Sequence, residues 1–209
     1  MRDKFLKQLT ELRLALIAML QEVIDIWGAA INALLSADEA EAQKIVANDL
    51  KINQEQRNIE NICFSLMIRQ QPVAKDLRVV TAALKMVTDL ERIGDHAADI
   101  SRMVKKGNIV ISPAIGEMAR DTENILNKLA AGFVNSNILA AREVIAYDDV
   151  IDNDFDKCKE ELIQQVLAEP TRAKEAADLL LIVKYFERVG DHATNLAEWL
   201  IYVLKDSEY

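Results

Sequence analysis

The chain reads as an all-α protein made of two tandem three-helix bundles, six long antiparallel helices related by an internal duplication. Three observations carry that reading. Apolar residues make up 51% of the 209 positions, yet only six glycines, three prolines and 5% aromatics are present, fewer turn-forming and strand-favouring residues than a β-rich domain needs. A seven-residue motif occurs twice. Around each copy, apolar residues recur in alternating steps of four and three, the spacing of a buried helix face.

The duplication is exact enough to set the architecture. Glu91-Arg92-Ile93-Gly94-Asp95-His96-Ala97 returns at an offset of 96 as Glu187-Arg188-Val189-Gly190-Asp191-His192-Ala193, with only Ile exchanged for Val. The two histidines of the protein fall at the same place in each copy. The stripe Val79, Ala83, Met86, Leu90, Ile93, Ala97, Ile100, Val104 is matched by Leu179, Ile182, Phe186, Val189, Ala193, Leu196 and Leu200, broken only at Glu175. A neighbouring stripe (Val80, Leu84, Val87, then Ala176, Leu180, Val183) means that each of these helices touches two partners, as in a three-helix bundle. The repeats are placed at 1–108 and 109–209.

Taken in order, the first helix spans about Lys4 to Leu35, with Ser36 and Asp38 available to cap the next. The second runs to about Arg69 and is stopped by Gln70, Gln71 and Pro72. The third covers about 74–106 and ends at Gly107-Asn108, residues suited to a left-handed cap. Ser112-Pro113 opens the fourth, with Ser as N-cap and Pro at the first helical position. The fifth follows Asn135-Ser136-Asn137 and stops near Pro170; Thr171 caps the sixth, which reaches about Lys205. Trp27 and Trp199 read as packing residues near bundle ends.

A net charge of −9 argues against a nucleic-acid partner, which selects basic faces. The excess is lopsided: residues 1–108 carry 15 basic and 15 acidic side chains, whereas 109–209 carry 10 and 19. No uncharged run approaches the roughly 18–20 residues that span a bilayer, so no direct membrane insertion is expected. The N-terminal apolar stretch is interrupted by Glu11 and Arg13, which favours a helix over a signal peptide. Cys63 and Cys158 sit within helical patterns and read as buried thiols in the reducing cytoplasm.

The motif contains a chemical oddity. Glu91 and Asp95 are four apart, so they share a helix face about 5–6 Å from each other, and Asp99 extends the line by a turn. Upstream the same line is apolar, so a core stripe turns acidic midway. On the preceding helix of the second repeat stand Asp148 and Asp152; in the first repeat the matching positions are Asp49 and Asn53. Side-by-side antiparallel helices would gather about four oxygen-bearing side chains in each half. Such a set suits a hard cation, Mg²⁺, Ca²⁺, Mn²⁺ or iron. It is equally compatible with salt bridges from Arg92, Arg188 and neighbouring lysines, and spacing leaves both open. Gly94 and Gly190 are explained by close helix approach, and the histidines lie off the acidic line.

Pro72-Val73-Ala74-Lys75-Asp76-Leu77-Arg78, the run Leu84 to Ala97 and the second copy Tyr185 to Glu198 resemble the signature of the PhoU family across essentially the whole chain. The resemblance implies paired three-helix bundles and a negative regulator of phosphate-starvation signalling. Such a regulator acts without catalysis between the ATPase subunit of the phosphate ABC transporter and a sensor histidine kinase; separately, exposed bundle faces point to a homodimer. It also implies multinuclear iron or zinc on Glu/Asp-x-x-x-Asp motifs, here Asp49, Glu91, Asp95, Asp148, Asp152, Glu187 and Asp191. Asn53 departs from the family pattern. The alternative is a carboxylate-bridged metal enzyme or metal-storage bundle, but no Glu is followed three residues later by His, as di-iron bundles require. A purely structural adaptor with empty acidic faces is the third reading.

Overall fold

The computed structural model describes residues 2–104 and 110–205. Six long helices carry the fold: α1 (Arg2–Ser36), α2 (Glu39–Gln70), α3 (Lys75–Met103), α4 (Pro113–Asn135), α5 (Ile138–Ala168) and α6 (Ala173–Leu204). The helices α1–α3 pack on one another, as do α4–α6, which are the two three-helix bundles the duplication predicts. The bundles also pack together, α3 against α6 and α1 against α4, so a single apolar core runs through both.

The breaks follow local chemistry. Asp38 accepts a hydrogen bond from the Glu41 N–H and caps α2, and Gln71 ends it in a left-handed conformation before Pro72. Ser112 caps α4 with Pro113 at its first position, and Asn137 accepts from the Leu139 and Ala140 N–H groups to start α5. Each such cap contributes about 1 kcal/mol. Two expectations are corrected. α3 stops at Met103, because Val104 is already extended; the expected Gly107-Asn108 cap and the 108/109 repeat boundary lie outside the described residues. Thr171 does not cap α6. It lies in a 3₁₀ turn, Pro170–Arg172, where its hydroxyl bonds the Glu169 carboxylate, and α6 begins after Arg172 with no side-chain cap.

The stripes face inward as predicted. Ala83, Met86, Leu90, Ile93, Ala97 and Ile100 are buried on α3, and Leu179, Ile182, Phe186, Val189, Ala193 and Leu196 on α6. By length and composition α1 does contain a window apolar enough to cross a bilayer, since Glu22 and Asp25 are too few to exclude it. Its apolar side is occupied: Leu12, Met19, Leu20, Val23, Trp27 and Ile31 are all in the core. Trp27 is a packing residue, though its place is the seam between bundles rather than a bundle end. Fully buried, it donates its indole N–H to Thr122 Oγ1 of α4 at 2.9 Å and meets Phe186 of α6 edge-to-face at 5.9 Å. Trp199 is partly buried and packs edge-on against Tyr202.

Candidate functional site

The acidic faces are positioned by glycines. A Cβ at Gly94 would stand 3.1 Å from Ile52 Cγ2, so α2 and α3 approach where α3 has no side chain. Gly190 meets Ile151, the counterpart of Ile52, in the same way, and there a Cβ would also come within 2.9 Å of Asp148 Oδ1. The approach therefore seats the Asp148 carboxylate directly over the α6 backbone. The roughly 1 kcal/mol that a mid-helix glycine costs is offset by this contact.

In the first repeat, Asp49 from α2 joins Glu91 and Asp95 from α3. Burial and the Asp95 charge push the Glu91 carboxyl above the usual range, with Asp49 adding to the effect. Burial followed by the Asp49 charge does the same to Asp95. Arginines answer these charges. Arg92 reaches Asp95 Oδ2 at 3.2 Å and Glu91 Oε2 at 3.6 Å, and Arg102 pairs with Asp49 Oδ2 at 3.4 Å and with Asp99. Asn53 turns away and donates its amide to the Asp49 carbonyl.

In the second repeat, Asp148 and Asp152 from α5 face Glu187 and Asp191 from α6. Burial, then the Asp152 and Asp191 charges, push Asp148 up to about 6. Burial and the Glu187 charge raise Asp191. Compensation is thinner. Lys184 pairs with Glu187 Oε1, while Asp148, Asp152 and Asp191 form no ion pair among the described residues. Glu187 Oε2 is buried without a hydrogen-bond partner, as is Asp49 Oδ1 in the first repeat.

Asp49, Glu91 and Asp95 in the first repeat, and Asp148, Asp152, Glu187 and Asp191 in the second, are thus close enough to feel one another's charge, while Asn53 stands apart. Among the described residues, no three of these carboxylates converge on one point in ion-ready geometry. The donor set of the second repeat nonetheless fits a hard cation: four carboxylates on two packed helices, one oxygen orphaned, and Asp148 and Asp191 both raised by burial and then by neighbouring carboxylates. The salt-bridge alternative describes the first repeat well, although its cations come from α3 itself and not from neighbouring lysines.

Sequence reasoning missed the seam. His96 is buried with Nδ1 unpartnered and stacks on Tyr185 at 5.1 Å; His192 bonds Asp89 Oδ1 through Nδ1 at 2.8 Å; the two imidazoles lie 5.7 Å apart. Positions 89 and 185 are 96 apart, as are 96 and 192, so the contacts are reciprocal across a pseudo-two-fold axis. The signal was available: 89 lies two turns before 96, on the same helix face. Arg188, the expected neutraliser of the second ladder, forms no hydrogen bond or ion pair among the described residues, and it lines a cleft at this seam with Arg92 and both histidines.

The family model described as the PhoU domain matches residues 16–104 and again 115–200. The chain belongs to the PhoU family. Among curated relatives, the phosphate-specific transport system accessory protein PhoU homolog of Pseudomonas aeruginosa is 30% identical, covering 99% of this chain and 87% of its own. The homolog of Clostridium acetobutylicum is 34% identical, over 83% of this chain and 82% of its own. The crystal structure of PhoU from Pseudomonas aeruginosa superposes with a TM-score of 0.92 at 30% identity over 97% of this chain and 99% of that one. PhoU from Streptococcus pneumoniae, described as a phosphate transport system regulatory protein, gives 0.88 at 29% identity over 95% and 96%. PhoU architecture therefore extends over both bundles.

Proposed function

We propose that this PhoU-family chain is a non-catalytic regulator of phosphate uptake and phosphate-starvation signalling. It acts on the cytoplasmic side as a binding protein that links the ATPase subunit of a phosphate transporter to a sensor histidine kinase and lowers kinase output when phosphate is plentiful. The observation that carries this reading is the match of both repeats to the PhoU domain, with relatives named as accessory proteins of phosphate-specific transport aligned over 99% of the chain. The charge distribution supports it, since an acidic binding surface suits protein partners with basic patches.

In this reading Asp148, Asp152, Glu187 and Asp191 hold a divalent transition ion, iron or zinc, with Mn²⁺ or Mg²⁺ as substitutes. The ion would supply positive charge that lets four carboxylates share one surface. Lys184 pairs with Glu187 beside this set, and Gly190 leaves room for Asp148 above the α6 backbone. Asp49, Glu91 and Asp95 would serve a second, weaker site in competition with Arg92 and Arg102.

Co-purification of the chain with the cognate ATPase subunit, from cells grown in high phosphate, is the direct test. A stoichiometric complex is expected, together with constitutive phosphate-starvation output when the gene is deleted. Recovery of the ATPase subunit at background level in every phosphate condition would remove the transporter link.

A further inference from the structure

The cleft at the seam between α3 and α6 has a volume of about 510 Å³ and chemistry unlike the acidic faces beside it. α3 contributes Arg92 and His96; α6 contributes Arg188, His192 and Asn195, with Asp191 on the wall as the one carboxylate lining it. Arg92 is engaged with Asp95 and Glu91, but Arg188 is exposed and has no ion-pair or hydrogen-bond partner among the described residues. His96 is 7% exposed, and its Nδ1 is buried without a partner. An exposed guanidinium with no ion-pair partner and an imidazole whose buried Nδ1 has none therefore line one concavity, and a buried polar atom without a partner is costly.

We propose that this cleft binds a phosphate group, free or carried by a nucleotide, with the Arg188 guanidinium as its principal contact and the His96 imidazole as a buried hydrogen-bonding partner. A cation is disfavoured, because two guanidinium groups face the space. A planar guanidinium fork fits two phosphate oxygens at once, which an ammonium cannot do. The Asp89 carboxylate at the back of the seam is taken up by His192 and Asn195 and does not oppose the ligand freely. The volume exceeds that of one phosphate, leaving space for a diphosphate or part of a nucleotide. The inference does not depend on the metal reading, since none of the proposed anion contacts is a carboxylate.

Calorimetric titration of the full chain tests it, with inorganic phosphate and, separately, ADP, at fixed ionic strength, before and after chelator treatment. One site per chain is expected for at least one probe, unchanged by chelation. Binding only of ADP identifies a nucleotide as the source, and binding of inorganic phosphate alone identifies the free anion. Arg188→Gln should weaken binding by about tenfold or more, and Arg188→Lys by less, because the charge remains while the fork is lost. Arg188 is exposed, so both variants should melt like the wild type. Failure of both probes to bind at millimolar concentration, equal affinity in Arg188→Gln, or loss of binding on chelation would each overturn the proposal, the last by assigning the phosphate to a bound ion.

Discussion

The two repeats share backbone, glycine and anchor, yet their acidic faces are electrostatically different. In the first, Asp49, Glu91, Asp95 and Asp99 meet two arginines, and Asn53 stands where the second has Asp152. In the second, Lys184 pairs with Glu187 alone, and Asp148, Asp152 and Asp191 form no ion pair among the described residues. At the position of Arg102 the second repeat carries Glu198, and at that of Asp99 it carries Asn195. Three substitutions therefore separate a self-neutralised surface from one whose carboxylates are left largely unpaired. Duplication preserved the scaffold and let the charges diverge.

The largest effect tests whether the halves form one folding unit at all. Trp27→Ala removes the side chain that bridges α1 to α4 and α6. It should cost about 3–5 kcal/mol in urea unfolding while the transition stays cooperative. Two separated transitions would show that the bundles fold independently.

Next comes metal affinity, which should distinguish the faces. Asp148→Asn is expected to weaken Mn²⁺, Fe²⁺ or Zn²⁺ binding by about tenfold to a hundredfold, measured by calorimetry on protein stripped of metal. The double change Asn53→Asp with Arg102→Glu should give the first repeat an affinity near that of the second. Less than a tenth of an equivalent bound by the wild type, or no gain in the double variant, would erase the contrast.

A smaller effect is set by pH. Asp148 titrates near 6 in the folded chain against an ordinary value of 3.8. A raised carboxyl pKa contributes stability at low pH that is lost as pH rises through about 4–6, since the fold must then hold the charged form. Without metal, Asp148→Asn should therefore be more stable than the wild type at pH 7.5, by about 1 kcal/mol once the half-exposed setting is allowed for, and the gap should close by pH 4. A gap that widens toward acid would reverse the sign and exclude this cause. The smallest effect belongs to the first repeat: Arg102 is 47% exposed, so Arg102→Ala should cost less than about 1 kcal/mol in thermal melts. A loss of several kcal/mol would mean that its pairs organise the fold.

Much of this was legible in the sequence. The apolar stripe steps through α3 and α6 as a helical period must, so helix count, pairing and core followed from residues such as Leu90 and Phe186. The acidic pairs Glu91/Asp95, Asp148/Asp152 and Glu187/Asp191 were likewise readable, because four-residue spacing fixes a face. Other features depend on three-dimensional placement. The Arg102–Asp49 bridge spans 53 residues, and spacing rules do not reach across helices. Thr171 looked like a cap because its residue type suits one, yet Pro170 favoured a 3₁₀ turn that moved the start of α6. The seam was legible only in part: Asp89 and His96 share a readable helix face, but local patterning is silent on which partner each buried face meets.

That seam shows what covalent fusion permits. In a dimer of identical subunits, a self-complementary contact must use the same pair of residues twice, because one codon writes both sides. Here the residue facing each imidazole is encoded separately, and the two have parted ways: Asp89 grips one ring through a hydrogen bond while Tyr185 lies flat on the other. Joining two symmetric halves in one polypeptide has freed the axis itself to become lopsided.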